Sequence, residues 1–222
     1  MTAMIRRDRL FRPWGTAFAA ACGLVAVIAL SAGPAAAGST GAEAFVQKNI
    51  DRGIALLKNK SLTDAGRRNQ VHDLLVGLLD TKTIGLFALG PARKKASQAD
   101  LDAYVSAFNE FMIANYESRL SGYGGQSLKV TGDIERAPGD HVVTAVLVDP
   151  AAPNDPDPVH VNFRVLDEGG KFAVVDASIA GVWLGLAQRD DFVGFLGQHG
   201  DSVPALTAHL KEMTAKFEAS SP

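Results

Sequence analysis

The stretch His141–Ile179, HVVTAVLVDPAAPNDPDPVHVNFRVLDEGGKFAVVDASI, decides the fold. His141 to Val148 is a strand that is apolar on both faces. Pro150 to Pro158 is a loop of prolines and aspartates. Val159, Val161, Phe163 and Val165 then face one way, while His160, Asn162 and Arg164 face the other. That period of two marks a strand with one buried side. Asp167-Glu168-Gly169-Gly170 predicts a hairpin turn, and Phe172 to Ile179 a further strand. Just upstream, Leu128, Val130 and Ile134 alternate with Lys129, Thr131 and Asp133. Four strands joined by such turns make an antiparallel meander.

On either side of this stretch the period changes to that of a helix. Phe45, Val46, Ile50, Ile54 and Leu57 mark one helix over Ala42 to Lys58. Asn59 to Thr63 breaks it, and Asp64 is the expected N-cap of a second helix carrying Val71, Leu74, Leu75, Leu78 and Leu79. A short apolar helix over Asp80 to Gly90 ends at Gly90-Pro91, and the basic turn Arg93-Lys94-Lys95 follows. Ser97 and Asp100 have capping-box spacing, with Asp in place of Glu or Gln, and open the longest helix, Gln98 to Leu120. Two more helices, Gly181 to Gln198 and Val203 to Ala219, close the chain. The order helices, strands, helices predicts an α+β fold, with an antiparallel sheet of about four strands packed against N- and C-terminal helices.

The 222 residues carry 22 Lys+Arg and 24 Asp+Glu, a formal net charge of −2, with 5 His and 1 Cys. Residues 1–37 read as a signal peptide. Arg6, Arg7, Arg9 and Arg12 precede the apolar run Ala17 to Leu30, and Ala35-Ala36-Ala37 offers the small-residue cleavage pattern. An uncleaved anchor is the alternative; a lipoprotein at Cys22 fits poorly, with Ala19 where a lipobox wants Leu. Cleavage after Ala37 removes four Arg, one Asp and Cys22. It leaves a single domain, 38–222, with 18 basic and 23 acidic side chains, a net of −5. Export to the periplasm is expected. A chain with one cysteine cannot form an intramolecular disulfide or a cysteine zinc site, and its charge argues against nucleic acid as a partner.

No catalytic set stands out. His72, His141, His160, His199 and His209 show no metal-ligand spacing. No GxSxG elbow occurs. Asp190-Asp191, Asp155 with Asp157, and Asp167-Glu168 fit surface and turn roles better than acid–base work. Gly122-Tyr123-Gly124-Gly125 follows a helix, the reverse of a phosphate-binding turn. No cofactor site is read. Arg93-Lys94-Lys95 suits either a solvated helix entry or contact with lipid phosphate. The apolar faces either fill one another or enclose a cavity, and periodicity does not separate the two.

Two blocks go further. Leu79-Asp80, Ile84, Leu89-Gly90, Ala96-Ser97, Phe108, Phe111, Tyr116 and Leu120 form the first. Val175-Asp176-Ala177-Ser178-Ile179-Ala180-Gly181-Val182, Gln188-Arg189-Asp190-Asp191-Phe192, Gly200, Leu206 and Leu210 form the second. In order and spacing the chain resembles the MlaC-type periplasmic lipid-binding proteins, also called the toluene-tolerance family, over nearly all of 38–222. The resemblance implies a non-enzymatic carrier that takes the acyl tails of a phospholipid into an apolar cavity. It also implies partners: an inner-membrane ABC transporter with an MCE-domain ring and an outer-membrane lipoprotein complex. Leu89-Gly90-Pro91-Ala92-Arg93 and Ala187-Gln188-Arg189 depart from the phospholipid carriers, which keeps a hopanoid-associated (HpnM-like) member open.

On that resemblance the tails lie between sheet and helices. Val146, Val148, Val161, Phe163, Val165 and Val174 supply the sheet side. Phe108, Phe111, Met112, Ile179, Val182, Leu186, Phe195 and Leu196 supply the helix side. Arg189 meets the head group or pairs with a neighbouring acid. Each apolar residue fits ordinary core packing equally well. Two readings from other classes stay open: an exported hydrolase or isomerase with a polar cleft, and an adaptor with an apolar groove.

Overall fold

A computed structural model describes residues 40–120 and 123–220. The expected signal segment, 1–37, lies outside the described residues. Six α-helices appear among them: α1 (Gly41–Lys58), α2 (Asp64–Leu78), α3 (Thr81–Ala88), α4 (Gln98–Leu120), α5 (Leu184–Gln198) and α6 (Val203–Ser220). A 3-10 turn, Gly90–Lys94, carries the basic residues between α3 and α4. None of the described helices is long and apolar enough to cross a membrane.

Side chains set the helix starts. Thr40 opens α1 with a complete capping box: its Oγ1 accepts from the Glu43 N–H, and its own N–H donates to Glu43 Oε2 at 3.0 Å. In α2 the cap is Thr63, not Asp64: Thr63 Oγ1 accepts from the Gly66 N–H at 3.1 Å. Asp64 instead enters the first turn and pairs with Arg67 at 3.0 Å. At α4, Ser97 Oγ accepts from the Asp100 N–H, but the Asp100 carboxylate accepts the Ser97 hydroxyl at 2.7 Å.

The sheet has five strands in the order β1 (Ser127–Ala137), β2 (Asp140–Val148), β3 (His160–Asp167), β4 (Phe172–Ile179) and β5 (Val182–Trp183), each antiparallel to its neighbour. The fifth strand corrects the expected helix start at Gly181. Ala180 and Gly181 both have positive φ, 49° and 82°, and form a two-residue hairpin of the primed kind. The turn signal is weak in sequence because Ala stands where Asn or Asp usually accepts this backbone.

A second correction concerns β1. A bulge between Val130 and Gly132 shifts the register, so that Val130 faces Ala145 but Asp133 faces Val143. One extra residue flips everything beyond it to the other face. Ile134, expected to point inward, is 67% exposed. Asp133 takes the inward place, with its side chain 3% exposed and bonded to His141 Nδ1 and Thr40 Oγ1, both at 2.8 Å.

The apolar interior forms two clusters. One is helical: Tyr104, Phe108, Phe111 and Phe192 pack ring against ring with Leu89, Leu196, Leu206 and Leu210. The other sits on the sheet: Val143, Val165 and Val174 pack against Ala42 and Val46 of α1. Leu79, at the end of α2, touches both clusters. The backbone holds it there, since Leu79 bridges to Val174 and the Asp80 N–H donates to the Val174 carbonyl at 3.0 Å.

Candidate functional site

A cleft of about 270 Å³ opens at the seam between the two clusters. Leu79 at the end of α2, Ile84 of α3, and Met112, Asn115 and Tyr116 of α4 line it on the helical side. Val174, Asp176, Ala177 and Ile179 of β4 make the floor, and Leu184, Gly185, Ala187, Gln188 and Asp191 of α5 complete the lining. Most of these side chains are apolar, and the polar ones come from α4, β4 and α5.

Local sequence explains the polar edge. The β3–β4 register shifts between Arg164 and Val165, so that Arg164 pairs with Asp176 but Val165 pairs with Val174. Beyond that bulge, Asp176 Oδ1 accepts from the Gly185 N–H at 2.9 Å and from the Ala177 N–H at 2.8 Å. The first turn of α5 is thereby joined to β4. Gly185 fits this contact because a Cβ there would lie 3.0 Å from Asp176 Oδ2. A carboxylate already holds the amide end of α5, so the cleft offers that helix terminus to no second anion.

Among the described residues no group of three His, Cys, Asp or Glu stands close enough to hold a metal ion. Titration is perturbed away from the cleft. Arg164 donates two hydrogen bonds to Asp140, both at 3.0 Å, and these hold the carboxyl below its usual range and the guanidinium above its own. Burial pushes the Tyr104 phenol well up, and its hydroxyl donates to the Gly85 carbonyl at 2.9 Å.

The candidate residues read from sequence divide into groups. Met112, Val174 and Ile179 line the cleft. Val161, Phe163 and Val165 lie on the same sheet face, with Val165 buried in the sheet cluster, Phe163 packed against it, and Val161 paired to Ile179. Phe108, Phe111 and Leu196 are interior residues of the helical cluster. Phe195 packs on that cluster and stacks against His199 and His209. Val146 and Val148 point to the opposite sheet face, since their neighbour Ala145 pairs with Val161. Val182 and Leu186 are exposed. Eleven other residues line the cleft: Leu79, Ile84, Tyr116, Asp176, Ala177, Gln188 and Asp191, with Asn115, Leu184, Gly185 and Ala187. The first seven belonged to the two sequence blocks, which was the available signal; the last four stood outside them.

Arg189 lies outside the cleft. With Arg93, Lys94, Phe87 and Pro91 it lines a separate hollow of about 230 Å³, its guanidinium 5.3 Å from the centre of the Phe87 ring. A third hollow, about 360 Å³, lies between the end of α2 and the β3–β4 hairpin. Asp80, Glu168 and Lys171 on its wall suit it to water more than to an apolar ligand.

A solved structure of a phospholipid-binding protein from Ralstonia solanacearum, in complex with a phospholipid, is similar to this chain. The two are 23% identical with a TM-score of 0.65, over 79% of this chain and 97% of that one. The likeness extends to the α+β architecture described above. The family model of the MlaC protein matches residues 47–212, three quarters of the chain and every element that lines the cleft. The chain belongs to the MlaC family.

Proposed function

We propose that this protein binds the acyl tails of a phospholipid in the β4–α3–α4–α5 cleft and carries the lipid across the periplasm. Residues 1–37 would direct export and be removed, and 38–222 would be the carrier. The observation that bears most weight is the cleft itself, an apolar hollow at the seam of two clusters that share Leu79. Its volume, about 270 Å³, lies just below the ~300–1,000 Å³ of ordinary ligand pockets. Taking in the full tails of a phospholipid therefore calls for the seam to widen.

Energy dictates what such a site can be. About thirty buried methylenes are worth roughly 24 kcal/mol against water. A lipid in a bilayer is already out of water, so a carrier that loads and unloads needs a pocket close to the bilayer in free energy. An apolar cleft with a few polar groups at one edge meets that need. Delivery would run between an outer-membrane lipoprotein complex and an inner-membrane ABC transporter with an MCE-domain ring. The chemistry is binding and release.

Native mass spectrometry of the protein purified without detergent, with analysis of an organic extract, tests this. A stoichiometric diacyl phospholipid is the expected result. A stoichiometric hopanoid would replace the phospholipid in the proposal. A ligand-free protein that also extracts no phospholipid from vesicles would refute it.

A further inference from the structure

Beside the cleft runs a surface of unusual composition. Arg93-Lys94-Lys95 is the only run of three consecutive basic residues in a chain of net charge −2. Lys95 is engaged by Asp201 at 3.1 Å. Arg93 and Lys94 are exposed and Arg189 is half-buried, and no ion pair among the described residues involves any of the three. Asp190, the next residue along α5, is exposed and lies within one turn of both Leu186 and Val193, so it borders the same face. Arg93, Lys94 and Arg189 outnumber it, and the face keeps a net positive charge.

Apolar side chains stand exposed on the same surface. Phe87 is 42% exposed, Leu186 52% and Val193 42%. Leu186 and Val193 are two turns apart on α5, with Arg189 between them. The two elements meet at Gly90, where a Cβ would lie 3.2 Å from Val193 Cγ2 and 3.4 Å from Arg189 Nε. Ile179, itself 48% exposed, lines the floor of the cleft. Cations interleaved with exposed apolar groups suit the boundary between charged head groups and acyl chains. A free phosphate would use the cations and leave the apolar groups in water.

We propose that Arg93, Lys94 and Arg189, with Phe87, Leu186 and Val193, form a docking face for an anionic phospholipid bilayer. The proposal rests on the carrier reading and adds to it the place where the protein meets the membrane. The face holds the rim of the cleft at the lipid surface, so that a tail passes from bilayer to cleft with little exposure to water.

Co-sedimentation with vesicles decides it, comparing phosphatidylcholine alone with phosphatidylcholine containing phosphatidylglycerol. Wild-type protein should bind the anionic vesicles and be released by salt. Each basic residue removed should weaken partition about fivefold. Arg93→Gln/Lys94→Gln then loses roughly 25-fold and the triple variant with Arg189→Gln roughly a hundredfold. Lys211→Gln/Lys216→Gln, two exposed positions on α6, should bind as wild type. Should the triple variant fail to fold, the double variant decides, because both its positions are exposed. Equal binding to neutral vesicles, no binding at all, unchanged binding of the double variant, or an equal loss in the α6 variant would overturn the docking face. Copurified lipid is measured on the same samples. Lipid present without vesicle binding sinks the docking face alone, whereas absence of lipid throughout counts against the carrier reading.

Discussion

Ala177→Phe tests the cleft directly. Ala177 lies on the cleft floor, opposite Phe163 on β3. A ring there enters open space, so it displaces ligand and leaves the packed clusters in place. If the ring takes the room of about four methylenes, that length of tail stays outside at roughly 0.8 kcal/mol each, about 3 kcal/mol in total. Occupancy should fall roughly two hundredfold. The fold should stay within about 1 kcal/mol of wild type, below the 1–3 kcal/mol of an overpacked core. Copurified lipid by mass spectrometry and extraction of a fluorescent phospholipid from vesicles read the first effect. Thermal unfolding by circular dichroism reads the second. Val146→Phe is the matched comparison, since Val146 faces away from the cleft, and it should keep its lipid. Full lipid content in Ala177→Phe with an unchanged melting temperature would refute the location of the site. Loss of lipid in Val146→Phe alone would move the site to the other face of the sheet.

Two further perturbations test the frame around the cleft. Gly85→Ala should destabilise although alanine favours a helix by about 1 kcal/mol: its Cβ would sit 2.7 Å from Phe108 Cδ1 inside the helical cluster and strain the Tyr104–Gly85 bond. A net loss of about 2 kcal/mol, or roughly 4–8 °C in melting temperature, is expected, and equal or higher stability would discredit the close approach of α3 to α4. Asp140→Asn removes a carboxyl whose pKa is depressed first by its hydrogen bond from Arg164. Its contribution is fully present above the ordinary carboxylate pKa, about 4, and is lost as pH falls through the lower folded value. The variant should melt lower than wild type at neutral pH by at most about 1 kcal/mol, because Arg164 is partly exposed, and the gap should close in strong acid. A gap that persists in strong acid would contradict the assignment.

The meander and the helices were legible because each keeps one period over several turns or residues. Bulges are where that reading breaks. Val130 and Ile134 share parity in the sequence, yet the bulge between Val130 and Gly132 sends Ile134 to solvent and Asp133 inward. The face carrying the cleft was hidden for another reason: β2 is apolar on both sides, so Val146 reads like Val143 until the pairing to β3 is known. On α4, Phe108 and Met112 look alike in a hydrophobic stripe, but Phe108 is wholly buried among rings while Met112 also lines the cleft. Asp176 could not be found by counting apolar residues. It lines the cleft because a bulge and the β4–β5 hairpin bring the amide of Gly185 to its carboxylate.

The division of the interior into two clusters bears on how a cleft of about 270 Å³ accommodates a lipid. In a continuous core, any wedge between sheet and helices would break many apolar contacts, and truncation of one large buried side chain already costs 2–5 kcal/mol. Here the rings around Phe108 pack on helices, and Val143, Val165 and Val174 pack on α1. A tail entering the seam meets surfaces that each cluster already leaves unfilled. The apolar residue common to both clusters is Leu79, and two backbone contacts to Val174 fix it independently of its side-chain packing. Elsewhere on the lining, the bond from the Gly185 N–H to Asp176 Oδ1 holds the start of α5 to β4. The seam is thus pinned at Leu79 by backbone groups and at α5 by a backbone amide on the Asp176 carboxylate, and Met112 and Ala177 line it between α4 and β4. Added apolar volume is least costly beside those two apolar side chains, because it leaves both pinned contacts and both clusters in place.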